Sequence, residues 1–182
     1  MKKRILFTVV IMLLGVTTMT AQSFTGKWEL EKEFFELTET ESDGLKLYIT
    51  LNIDKKNMNV DLLLTSEKDE DGDEISFILS YPSTYTKKGN KVTAAFDYDK
   101  AGFKIVDYKT EDPEIANLIS TKEGKDTFFA LLNSQLQSQR DELLPEMYDA
   151  VKTLFSDFTI KDLKAKKLTI LSQDEVELNF LR

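Results

Sequence analysis

The 182-residue chain contains no histidine and no cysteine. The commonest general base, the commonest metal ligand and the thiolate nucleophile are therefore all missing. That excludes zinc sites of the usual kind, cysteine nucleophiles and histidine-based triads. Carboxylates, lysines, tyrosines and hydroxyls remain. Asp43, Glu111, Asp112 and Asp141 could supply a carboxylate pair of the type that drives hydrolysis, and Asp107 with Asp97 or Asp99 are the acids that strand parity could turn inward. With 32 acids in the chain some pair always looks suggestive. Caps and turns account for these positions better, and the chain reads as a non-enzyme. The run from Asp69 through Asp71, Gly72 and Asp73 to Glu74 invites calcium. An EF-hand loop, however, needs Gly at its sixth position and Glu at its twelfth, and Gly72 stands fourth. A solvated hairpin tip explains the run, and neither a metal nor a cofactor is expected.

The other residues with a chemical use are aromatic. Phe34, Phe77, Tyr81, Phe96, Tyr98 and Phe103 fall on the inward side of an alternating pattern. There they could line an apolar pocket, with the tyrosine hydroxyls orienting a ligand. They could equally fill a solid interior. Which of the two applies depends on the elements that carry them.

Residues 1–21 read as a secretory signal rather than as part of the fold. Lys2, Lys3 and Arg4 form the positive start, an apolar run from Ile5 to Val16 follows, and small residues lead to a cleavage point after Ala21. The apolar run falls short of the roughly 20 residues a bilayer span needs, so no stable membrane insertion is expected after cleavage. A periplasmic or secreted protein of residues 22–182, forming one domain, is implied. Losing the three cations of the signal takes the formal net charge from −8 to −11. A body so acidic argues against nucleic acid as a partner. Without disulfides, stability must come from packing.

From Gly26 the pattern alternates with period two, as half-buried strands require. Trp28, Leu30 and Phe34 share a face in the first strand, with a bulge or bend predicted near 32–34. Leu45 to Ile53 is the cleanest run, and strands over 58–65, 75–81, 92–96 and 103–107 follow across short turns. Pro82 should end regular pairing or mark an edge. The period then changes. Asp112 and Pro113 open a short helix, and a longer helical stretch runs from about 126 to 158, with Pro145 predicted to kink or divide it. A hairpin over 166–171 and 176–182 ends the chain. The sum is an eight-stranded antiparallel up-and-down barrel with a helical insertion, about 113–158, between strands six and seven.

Gly26-x-Trp28 at the head of the first strand, the meander, and a last strand ending in Arg182 resemble the lipocalin-like (calycin) barrels, in particular their small exported bacterial members. The resemblance implies that Trp28, with Gly26 beside it, closes one end of the barrel and that Arg182 packs across the indole. Such a contact is worth roughly 0.5–2 kcal/mol. The chain departs from the family's pattern in placing its helices before the seventh strand and in lacking the disulfide. A small hydrophobic or amphipathic ligand inside the barrel, with the insert as lid, is the leading expectation. The alternative is a filled barrel whose insert contacts a protein partner or a second copy of the chain.

Overall fold

A computed structural model describes residues 23–35, 44–69 and 71–182. The signal segment, Glu70 and most of the turn at 38–44, Asp43 included, lie outside them. The strands are β1 Gly26–Leu30, β2 Leu45–Ile53, β3 Asn57–Ser66, β4 Glu74–Lys88, β5 Lys91–Phe96, β6 Gly102–Lys109, β7 Asp157–Leu163, β8 Lys167–Ser172 and β9 Glu177–Leu181. Helices α1 Pro113–Ile119, α2 Lys122–Gln135 and α3 Gln137–Phe155 stand between β6 and β7. The sheet runs β3-β2-β1-β9-β8-β7-β5-β4, and β4 pairs back on β3 to close an eight-stranded antiparallel barrel. This closure is consistent with a lipocalin-like fold and leaves the ring without a free edge.

The sixth strand lies outside the ring. The second edge of β4 pairs with β6 over residues 74–80 and with β5 over 83–88. Pro82, which has no N–H to give, sits at the handover, still opposite Asn59 of β3. The ring's eighth member is instead β7, where the sequence pattern extends the long helix to Phe158. Phe158 and Ile160 are buried while Asp157 and Lys161 are exposed, so strand alternation begins directly after the helix.

Three other expectations change. The first strand stops at Leu30, short of Phe34, and the chain bends at 31–32, close to where a bulge or bend is expected. There the Glu33 carboxylate accepts hydrogen bonds from the Phe35 N–H at 3.1 Å and the Leu47 N–H at 2.6 Å. The long helical stretch divides at Leu136, leaving Pro145 inside α3. Asp107 does not face inward: the register shifts at a bulge between Ser76 and Phe77, and Asp107 comes to lie opposite Ser76. Its half-exposed carboxylate stands 3.9 Å from Lys125 Nζ.

Antiparallel order sorts the connections between two ends. The hairpins at 54–56, 89–90 and 164–166 join the start of β1 and the end of β9 at one end. The hairpins at 67–73 and 173–176, and the entry to the helices, lie at the other. Alternating residues of every ring strand meet between them. Leu47, Ile49, Leu51, Val60, Leu62, Leu64, Leu79, Ile170 and Leu178 are all buried.

Candidate functional site

The end where β1 begins is solid. Trp28 is fully buried, and its Nε1–H donates to the Phe24 carbonyl at 2.9 Å. The Arg182 guanidinium lies 4.4 Å from the centre of the indole ring. It also donates to the carbonyls of Ser23, at 3.3 Å, and Thr25. Gly26 has φ +139°, a conformation that favours glycine, and a Cβ there would displace that guanidinium. Phe24 meets Tyr85 edge-on at 5.7 Å, and the Tyr85 hydroxyl donates to the Asp54 carbonyl at 2.7 Å. Gly26, Trp28 and Arg182 thus form one closure.

The six candidate aromatics fall into two groups. Phe77 of β4 and Phe103 of β6 touch, ring centres 5.2 Å apart, because both point inward from paired strands. Phe77 is buried and Phe103 half-buried, and Phe34 is half-buried against Phe35 at 6.1 Å. The second group meets α3. The Tyr81 hydroxyl donates to the Leu144 carbonyl at 3.0 Å. Tyr148 lies 5.9 Å from the Tyr81 ring and 4.9 Å from the exposed Tyr98, and its hydroxyl donates to the Phe96 carbonyl at 3.3 Å. The grooves centred on Asn59, Thr86 and Asp112 are lined by none of the six.

The sequence pattern points to Leu143, Met147, Val151, Leu154 and Phe158 as the stripe of the helix. Val151 of that stripe is buried and Leu143, Met147 and Leu154 pack against the core half-buried, but the most deeply placed side chains of α3 also include Leu144 and Phe155, with Tyr148 against the core beside them. The spacing of four, three and four from Leu144 through Tyr148 and Val151 to Phe155 is as helical as the other; the polar hydroxyl of Tyr148 hides it. Phe155 is fully buried, its ring 6.5 Å from that of Phe180. Burying such side chains contributes about 1.5–3 kcal/mol each, so α3 is firmly held. By contrast α1 buries no residue and α2 buries only Gly124. Phe128 of α2 rests edge-on against Tyr108 at 4.9 Å, and Lys125 lies over the Phe129 ring. Leu118 and Leu131 are 45% and 59% exposed.

The acids are committed locally. Asp112 caps α1, accepting from the N–H groups of Glu114 and Ile115 at 2.7 and 3.2 Å. Asp97 pairs with Lys100, and Glu111 with Lys68. At the acidic tip Asp69 accepts from the backbone of Asp71 and Asp73 at 3.0 and 2.8 Å. Among the described residues no group of three or more acids is placed to hold a metal ion.

Three tyrosines titrate late, among them Tyr85, which burial and then the charge of Asp54 push upward. Burial pushes the Tyr81 phenol well upward, with the nearby Tyr98 adding to it. Burial, then the hydrogen bond and charge of Asp73, push Tyr108 up to about 12. The unfolded value is about 10, so the folded state keeps the Tyr108 proton longer. Its stabilising contribution is complete below pH ~10 and is lost as pH rises toward about 12. Phenolate absorbance during alkaline titration should show these groups ionising last. Asp73→Asn should bring Tyr108 down only in part, since burial is the larger cause; a full return to the ordinary value would mean that Asp73 is the dominant one.

No known protein-family model matches the chain, and no curated protein is similar to it in sequence.

Proposed function

We propose that this is a non-enzymatic, exported protein of the calycin type that binds a small apolar or amphipathic molecule at the helical end of its barrel. The contrast between the two ends carries the reading. The Trp28 end is sealed, whereas the other presents buried Phe77 against half-buried Phe103, with half-buried Phe34, Phe35, Phe128, Phe129 and Leu132 on the segments that follow β1 and β6. A half-exposed aromatic rim over a buried apolar floor is what a small apolar ligand needs. In this reading α1, α2 and the first half of α3 are the lid. The helix lacks one internal hydrogen bond at Pro145, and the Tyr81 hydroxyl on the neighbouring Leu144 carbonyl is the latch. Val151 and Phe155 stay behind as the plug beneath it.

One observation favours a second reading, an interaction module. The plug residues already occupy the core, while Leu118 and Leu131 face solvent from the weakly held helices. Native mass spectrometry of the protein isolated from its own host separates the two. The expected result is a stoichiometric small molecule at monomer mass, released on denaturation. A clean apo mass, as a dimer or with a co-purifying protein, would overturn the ligand reading in favour of the module.

A further inference from the structure

A second site lies on the outside of the barrel. A groove of about 640 Å³ runs over the outer wall of β2 to β5. It shares Asn57, Thr84 and Ala95 with a smaller groove of about 370 Å³. Pro82 and Ala95 give it a flat apolar floor, and Asn52, Asn59, Asp97 and Lys100 stand around them.

The amides are held in place. Asn52 and Asn59 face each other across the β2–β3 pair, about 5 Å apart. Asn52 Nδ2 donates to Asp61 Oδ2 at 2.7 Å, and Asn59 Nδ2 donates to Asp61 Oδ1 at 2.5 Å. The Ser80 hydroxyl adds a third hydrogen bond to the same carboxylate at 2.6 Å. A primary amide has two N–H donors and one carbonyl acceptor. Each asparagine therefore spends one donor on Asp61 and keeps one donor and its acceptor, with the rotamer already fixed. Pre-set groups of this kind avoid the ordering cost of binding.

The chemistry left over selects the ligand. Paired donors and acceptors suit hydroxyl groups, which act as both at once. The flat floor suits the C–H face of a sugar ring. The charges of the groove are already answered: Asp97 is paired with Lys100, and Asp54 accepts from the N–H groups of Lys56 and Asn57. An anion would meet Asp54, Asp61 and Asp97 together, and a cation would compete for carboxylates already bonded to Lys100, to backbone N–H groups or to the asparagines and Ser80. We infer that the groove over Asn52, Asn59 and Pro82 binds a neutral oligosaccharide, the two asparagines holding one ring's hydroxyls and Pro82 stacking beneath it.

The test is amide NMR of the protein titrated with maltohexaose, cellohexaose and chitohexaose. Saturable shifts are expected at Asn52, Asn59, Thr84 and Ala95 with at least one of the three. Asn52→Ala and Asn59→Ala should each weaken that binding about tenfold. Asp61→Ala, which removes the carboxylate that holds the asparagines and Ser80, should weaken it as well by releasing the amides. Ala95→Arg fills the exposed floor without removing any contact of the fold, and should abolish binding in a protein whose unfolding midpoint is unchanged. Tyr48→Ala, elsewhere on the outer wall, should have no effect. An absence of saturable shifts with all three sugars would overturn the inference. So would shifts that persist in Ala95→Arg, or binding of an acidic oligosaccharide or a basic peptide in place of the neutral sugars.

Discussion

Trp28→Ala should lower the unfolding free energy by about 3–5 kcal/mol. Three losses coincide at this residue. The indole is fully buried, so truncation leaves a cavity at the closed end. The Phe24 carbonyl loses its indole donor in a buried setting, which costs a further fraction of the about 1–3 kcal/mol of an unmet polar group. Arg182 loses the ring beneath it. The last loss is the smallest: Arg182 is itself exposed, which places its cation–π contact near the low end, about 0.5–1 kcal/mol. Arg182→Ala should therefore cost much less than Trp28→Ala, and Trp28→Phe should fall between them. Urea unfolding followed by circular dichroism reads all three, since the fluorescence of the single tryptophan disappears with it. The midpoint should fall with little change in slope. If Arg182→Ala proves as damaging as Trp28→Ala, the closure depends on the guanidinium and its carbonyl contacts rather than on the packed ring.

The sequence reveals those parts of this arrangement that rest on period and parity. Strands β2, β3 and β5 alternate cleanly and are buried on one face, so their limits follow within a few residues, whereas β4 continues through Pro82 to Lys88, well past the end expected at 81. Trp28 and Arg182 meet because both stand on inward parities of strands that close the ring. Phe77 and Phe103 meet for a similar reason, on paired strands. Strand β7 stays hidden because Phe158 lies four residues beyond Leu154 and so continues a helical spacing just as well as it begins a strand. The acceptor of the Tyr81 hydroxyl is a backbone carbonyl, and every residue has one, so no residue type announces it. The parity of Asp107 is lost for a third reason: one bulge reverses every side chain beyond it. The Asn52–Asn59–Asp61 ladder lay in outward positions that alternation treats as merely solvated, and only register brings the three together.

Phe155→Ala should cost about 3–5 kcal/mol, as expected for a fully buried aromatic ring. It should also separate the two parts of α3. The ring packs against Phe180 just before the chain enters β7, where the Ser156 carbonyl accepts from the Ala94 N–H at 2.7 Å. The backbone at that point stays tied to β5, so the cavity opens inside the barrel instead of closing by withdrawal of the helix. Two consequences can be read separately. Amide exchange should quicken along α3 more than along β2 and β3, whose long mutual ladder does not involve Phe155. The new space should admit an apolar fluorescent probe such as an anilinonaphthalene sulfonate under conditions where the protein remains folded by circular dichroism. Tyr81→Phe is the companion variant: it removes only the hydrogen bond to Leu144, costs about 1 kcal/mol, and should quicken exchange in the segment before Pro145 while leaving Val151 and Phe155 protected. Uniform exchange along α3 in Tyr81→Phe would make the helix one rigid body, and the lid would then have to be α1 and α2 alone. Exchange in Phe155→Ala that rises equally in every strand would make the plug part of a single cooperative core, with no chamber of its own beneath the helices.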